Sequence, residues 1–318
     1  AMTAAGLAIC LVAILATACH PFEKPADKAG PASALAVRAL TGVHTRITWC
    51  TQIQGDACDI YAEGAQLQLM GLDTDDRKGE RAILEKIGNY HKPMITPRGN
   101  RIVFTDLTVN KIFVVDWNGS SLRELLPGNA AALWMDRVTG TEWVYTLPPS
   151  ESNNKEGSGP LTRFKLDDSS FTETVWEATT MDADNIQLSA DGRYMGGLFP
   201  WPKAGVANLE MTVMRGQGRG CWTSLAPDNS YLLWIFDESH RNVSMHTLDG
   251  SKTWMVNINS APGIEGYEVY HPRWSNHVRF MCITGPYKCG ESSNKIRAGG
   301  NAVDIFIGRF DGRLSAVE

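Results

Sequence analysis

Three histidines sit beside residues able to carry charge or move a proton. His91 precedes Lys92, His240 closes the run Asp237-Glu238-Ser239-His240-Arg241, and His271 lies between Tyr270 and Pro272-Arg273. Neutral imidazole ligates divalent metals well, so convergence of His91, His240 and His271 would make a site for Mn or Zn, or for Ca. Arg241, Arg273 and Arg297 could hold a carboxylate through two parallel hydrogen bonds. Lys288 or Lys92 could take a proton from a substrate held there, and His271, Lys288 and Arg297 are the catalytic candidates. No His-x-His or His-Glu-x-x-His spacing supports the metal. Each group also has a plainer use. Asp237, Glu238 and Arg241 suit a surface ion-pair cluster, Asp184 a turn cap, and Trp201 and Trp222 packing between sheets. Cys221 has no base beside it in the sequence and reads as a small buried thiol.

Whether these residues meet depends on the elements that carry them. Four segments share one pattern: "KPMITPRGNRIVFTD" (92–106), "NIQLSADGRYMGGLF" (185–199), "WTSLAPDNSYLLWIFD" (222–237) and "HPRWSNHVRFMCITG" (271–285). Each is a short apolar strand, a polar turn with Gly, Asn or Asp, and a second apolar strand, as a tight hairpin requires. "AALWMDRVTGTEWVYT" (131–146) repeats it with a longer turn. Further strands follow in "KIFVVDWNGSSLRELL" (111–126), "NVSMHTLDGSKTWMV" (242–256) and "VDIFIGRFDGRLSAV" (303–317), while 46–50 and 66–84 supply the later strands of one more unit. A period of roughly 45 residues with four strands per repeat predicts an all-β, six-bladed β-propeller of four-stranded antiparallel blades over 35–318. The unit near 35–50 shows no convincing inner strand.

"HPRWS" and "LSADGRY" resemble the repeat of TolB-like (WD40-like) six-bladed propellers, whose usual form is Pro-x-Trp-Ser-Pro-Asp-Gly before an apolar strand. The resemblance covers nearly the whole chain after its leader. It implies the fold and little about activity, because that family holds scaffolds, binding modules and enzymes. In 271–280 the Pro-Asp-Gly turn is replaced by Asn276-His277-Val278, so His277 is expected on a solvated turn at the opposite rim.

Propeller geometry then sorts the chemistry. Inner strands begin at one face, at His91, Ala130, Asp184, Cys221 and Tyr270, followed by Lys92, Ala131, Asn185, Trp222 and His271. The loops of that face are the uneven ones, and they bring Trp201, Asp237, Glu238, His240, Arg241, Glu265, Tyr267, Glu268, Tyr270, His271 and Arg273 to a common mouth. Loops on a rigid scaffold are where binding and catalysis concentrate. The expected function is a binding or scaffold module for a protein partner or glycan. The alternative is a carbohydrate-active enzyme, because some propellers of this general type are polyuronide lyases using a histidine-held metal.

Composition limits the rest. With 30 basic and 35 acidic residues among 318, the net charge is −5, which argues against a general nucleic-acid binder. The apolar run Leu7 to Ala18 is too short for an ordinary spanning helix but fits a secretory signal. Its Ala16-Thr17-Ala18-Cys19 ending resembles a lipoprotein signal in which Cys19 takes the lipid, although Ala16 stands where leucine is usual. Residues 1–19 are therefore expected to be a signal or anchor and 20–34 a flexible tether, on a protein of the periplasm or cell surface. Five cysteines remain, and Cys50–Cys58 and Cys282–Cys289 could close local loops and leave Cys221 free. Neither Gly-x-Ser-x-Gly nor a complete phosphate-binding loop occurs, Gly216 to Gly220 lacking the Lys-Ser/Thr ending.

Overall fold

Runs of β-branched and aromatic residues broken by Gly, Asn and Asp favour hairpins, and strands dominate the chain. The computed structural model describes residues 31–53, 66–149, 159–181, 183–211, 213–262, 264–289, 296–298 and 303–318. After a helix α1 (Pro31–Thr41) come β1 (Arg46–Gln52), β2 (Leu67–Asp73) and β3 (Arg81–Ala82), the first sheet. The second holds β4 (Tyr90–Ile95), β5 (Arg101–Asp106), β6 (Lys111–Asp116) and β7 (Arg123–Pro127). The third holds β8 (Asn129–Met135), β9 (Glu142–Leu147), β10 (Gly159–Lys165) and β11 (Asp168–Thr179). The fourth holds β12 (Gln187–Leu188), β13 (Tyr194–Leu198), β14 (Lys203–Asn208) and β15 (Met214–Arg219). The fifth holds β16 (Cys221–Leu225), β17 (Leu233–Phe236), β18 (Asn242–His246) and β19 (Thr253–Asn257). The sixth holds β20 (Glu268–Trp274), β21 (Phe280–Cys289), β22 (Ile296–Ala298) and β23 (Asp304–Arg309). All pairings are antiparallel, and strand order follows the chain except that β22 and β23 both pair with β21. This is the expected six-bladed β-propeller.

The core lies between blades. Alternate side chains of a strand face opposite ways, so in β5 Ile102 and Phe104 join a cluster with Leu69 and Ile83 of the first blade, while Val103 joins one with Ala130 and Val144 of the third. Further clusters fill the joints between blades three and four, four and five, and five and six. Among the described residues no such cluster joins the sixth blade to the first.

That joint is built differently. Arg46, at the start of β1, donates to the carbonyl of Gly99 in the turn that leads into β5, so β1 starts at the same rim as β5 and runs the same way. The described strands of the first blade are therefore its second, third and fourth, and the chain position of an inner strand falls on α1. Ala32, Ala34, Leu35, Ala36, Ala39 and Leu40 are helix formers, and Pro31 suits a first helical position. Gly42, at φ 73°, donates its N–H to the Arg38 carbonyl at 2.9 Å and ends the helix. The helix thus spans the tether boundary expected at residue 34. It packs on β23, where Arg309 donates to the Leu40 carbonyl at 3.3 Å. In consequence β1 has no fully buried residue, whereas β9 and β17, second strands of their blades, are buried throughout. No helix among the described residues is long and apolar enough to cross a membrane.

Below α1 the buried Asp73 carboxylate accepts from Arg46 Nε at 2.7 Å and meets His44 Nε2 at 2.8 Å. Burial opposes its ionisation, but hydrogen bonds from Arg46, the Asp75 backbone and His44 outweigh it and hold the carboxyl below its ordinary range. A depressed folded-state pKa gives stability that is complete above the unfolded value of about 3.9 and lost as pH falls through the lower folded value. The expected result is that wild type and Asp73→Asn differ in urea midpoint at pH 7 and converge in strong acid; a constant difference across that range would contradict it.

Cys50, Cys221 and Cys282 are free thiols, so the local loop closures that spacing allowed at Cys50 and Cys282 are not formed. Cys282 and Cys289 lie seven residues apart on the single strand β21, about 23 Å when extended, far beyond disulfide reach. Cys58 lies outside the described residues. Burial pushes the Cys50 thiol up to about 12 and raises that of Cys282. Iodoacetamide at pH 8 should therefore spare both in the native protein and label both in urea.

Candidate functional site

The inner strands do not start cleanly. Their pairing slips between His91 and Met94, Ala130 and Ala132, Cys221 and Ser224, and Tyr270 and Arg273. Each slip is a β-bulge that re-aims side chains at the rim. At three of them a residue with a full side chain takes a left-handed backbone: Lys92 (φ 47°), Trp222 (φ 38°) and His271 (φ 53°). Such conformations cost energy for non-glycine residues and concentrate at functional sites. These are the positions that the sequence alignment places second at the mouth.

The mouth has two unlike sides. Toward blades two to four it is latched by polar contacts. His91 Nε2 pairs with Asp184 Oδ1 at 3.0 Å, and Lys92 Nζ donates to the carbonyls of Ala131 and Ala183. The lysine thus reaches from β4 to the third blade and to the segment that precedes β12. An ammonium engaged with two carbonyls is a strut and a poor base.

Toward blades four to six the mouth is aromatic. Trp201 is 53% exposed, and its Nε1 meets Cys221 Sγ at 3.4 Å. Trp222 meets Phe236, Tyr270 and His271 edge-to-face, with centroids 5.9, 5.6 and 5.2 Å away. The Thr284 hydroxyl lies 3.2 Å from the Tyr270 carbonyl and 2.9 Å from His271 Nδ1. Below them lies the tightest constellation of the face. The Tyr270 hydroxyl is 2.7 Å from His240 Nδ1 and 2.9 Å from Glu268 Oε2, and the latter two are 3.3 Å apart.

The other expected site residues sort by what they touch. Asp237 is a loop-former: it accepts from Ser239 Oγ at 2.6 Å, Asn242 Nδ2 at 2.8 Å and two backbone N–H groups. Burial raises its carboxyl, and those hydrogen bonds overcome the effect and hold it low. Arg241 donates to the Gly266 carbonyl at 3.2 Å, while Glu238 and Glu265 are exposed on the rim. Tyr267 is half-buried, and its carbonyl accepts from Asn259 Nδ2 at 2.7 Å. Arg273 pairs across the strand with Cys282. The side chains of Lys288 and Arg297, and Cys19, lie outside the described residues. His277 is an exposed turn residue at the far rim, accepting from Arg279 N at 3.1 Å.

His91, His240 and His271 do not converge. Each is held by a different partner, Asp184, Tyr270 with Glu268, and Thr284, and among the described residues no group of three or more His, Cys, Asp or Glu is placed to hold a metal ion. What sequence reasoning missed is the alliance of Tyr270 with His240, thirty residues away in the chain.

No family profile and no curated protein matches the chain. Among solved structures it is similar to a putative TolB from Agrobacterium tumefaciens (11% identity over 75% of this chain and 83% of that one, TM-score 0.48). Similarity extends to a gluconolactonase from Xanthomonas campestris (14% identity, 69% and 76%, TM-score 0.47). It also extends to TolB from Acinetobacter baumannii (14% identity, 70% and 67%, TM-score 0.34). The sheets themselves define the class: a six-bladed β-propeller, with TolB proteins among its structural neighbours.

Proposed function

We propose that the chain is an exported, lipid-anchored propeller that docks a protein partner or a glycan through the mouth face of blades four to six. The anchor rests on the sequence ending at Cys19. The docking face rests on one observation: exposed Trp201 touches Cys221, and next to it in the chain Trp222 meets His271, Phe236 and Tyr270, the last two of which also pack on His240. At the far rim several polar side chains fold back on their own turns, as Asp136 does with Thr139, Asp228 with Ser230 and Ser275 with His277.

A photo-reactive residue at position 201 is expected to crosslink an envelope component in the native host, and one at Val138, exposed on the far rim, is not. Crosslinking from Val138 alone would overturn this choice of face. Incorporation of labelled palmitate that disappears in Cys19→Ala checks the anchor.

A further inference from the structure

The rim away from the mouth holds a solvent-open cavity of about 390 Å³, toward the small end of ligand-sized pockets at roughly 300–1,000 Å³. It lies where blades four and five meet. Arg215 of β15 lines it from blade four. Ser230, in the turn between β16 and β17, and the turn between β18 and β19 (residues 247–252) line it from blade five. The two walls are fixed to each other. Gln217, two residues along β15 from Arg215, donates through Nε2 to the Leu248 carbonyl at 3.0 Å and the Thr247 carbonyl at 3.4 Å. Leu248 is half-buried against the core between the two blades. Gly250, at φ 71°, closes the turn by donating its N–H to the Thr247 carbonyl at 2.9 Å.

Three charged side chains line this space, and they do not pair with one another. Asp249 is engaged by its own turn: Oδ1 accepts from Thr247 Oγ1 at 2.7 Å, Ser251 Oγ at 2.8 Å and the Ser251 N–H at 3.0 Å. Those hydrogen bonds hold its carboxyl down to about 2, so it is ionised at neutral pH. Ser230 likewise donates its hydroxyl to Asp228 at 2.5 Å. Arg215 and Lys252 are exposed, and among the described residues neither side chain has a hydrogen bond or an ion pair. A guanidinium fork and an ammonium therefore line one cavity whose hydroxyls already serve carboxylates. Two positive charges against one negative leave a single positive charge unmatched.

We infer that this cavity binds a small monocarboxylate, its carboxylate held by paired N–H donors of Arg215 and by the Lys252 ammonium. The inference is independent of the docking reading, which concerns the opposite rim. A planar carboxylate matches the guanidinium fork. One negative charge neutralises the cavity, whereas a dianion such as phosphate meets the fixed Asp249 carboxylate with charge left over. Leu248 is the apolar member of the lining and suits the ligand's carbon skeleton.

Titrations followed by nitrogen–proton correlation spectra at constant ionic strength test it, with hexanoate, gluconate and N-acetylglycine, each beside its neutral amide. At least one carboxylate should bind saturably and shift the signals of residues 215 and 247–252, and its amide should not. Arg215→Ala and Lys252→Ala should each weaken that binding about fivefold, the upper end for an exposed ion pair. Arg215→Lys, which keeps the charge without the fork, should recover part of the loss. Asp249→Asn, which keeps the turn's acceptor and removes the negative charge, should tighten binding, a change of sign that a structural role would not give. Arg137→Ala removes an exposed arginine from the β8–β9 turn of the same rim and should change nothing. Equal losses in Arg137→Ala and Arg215→Ala would reduce the effect to net charge and overturn the site. Tighter binding of phosphate than of every carboxylate, or no saturable binding by any of the three, would overturn it too. A protein crosslinked from position 201 would uphold the docking face whatever these titrations give.

Discussion

Trp234→Ala is expected to lower stability by about 4 kcal/mol, at the upper end of large-to-small core changes, and the melting temperature by roughly 10 °C. Trp234 is fully buried in β17 and stacks on Trp274 of the next blade at 4.1 Å and 20°. Phe310 closes the stack from the last blade at 6.1 Å. The indole Nε1 also donates to the carbonyl of Trp222 at 3.0 Å, at the left-handed bulge. Alanine therefore removes the joint between blades five and six and a hydrogen bond that steadies the mouth. Trp234→Phe retains most of the packing and loses that bond, so it should cost less in melting temperature yet still disturb the Trp222–His271 contact. A melting temperature within a degree or two of wild type for Trp234→Ala would mean that the stack does not carry this joint.

Arg101→Ala is the second large effect, expected at about 3 kcal/mol because it strands a buried charge. Arg101 NH2 donates to Glu142 Oε2 at 2.8 Å, and NH1 pairs with Asp167 at 2.5 Å. The Glu142 side chain is 1% exposed, and its other oxygen accepts from the Arg98 backbone at 2.9 Å. Burial lowers the Arg101 pKa, and the two carboxylates more than reverse that, so the guanidinium stays charged. Replacing both partners, as Arg101→Met with Glu142→Met, removes the stranded charge, and apolar replacements of buried pairs are often neutral. The double variant should thus lose less than the sum of its singles in urea unfolding. Strict additivity would show that the two side chains do not act as a pair.

The ring of hairpins was legible because its signals are local. Alternating apolar residues and Asp-Gly or Gly-Asn turns in 92–106 and 185–199 state their structure within fifteen residues. The mouth positions Lys92, Trp222 and His271 were legible for the same reason, as members of one repeat. Their left-handed backbone was not, since nothing in those residue types favours it. The helix at 31–41 answers to alanine and leucine content, which overrides the place of the segment in the repeat. Spacing cannot show which nearer partner meets each histidine of the expected metal trio: Asp184 for His91, Tyr270 for His240, Thr284 for His271. The Tyr270–Glu268 contact, two residues apart on one strand, was within reach of a strand-facing argument.

Among the described residues, five apolar joints and one helical clasp make this ring more like a bracelet than a closed hoop. Because each blade leans only on its neighbours, the circle can part at the clasp without breaking any of the five joints. Amide exchange should accordingly run fastest along β1 and β23, and the width of the central bore should be set by whether residues 31–41 hold.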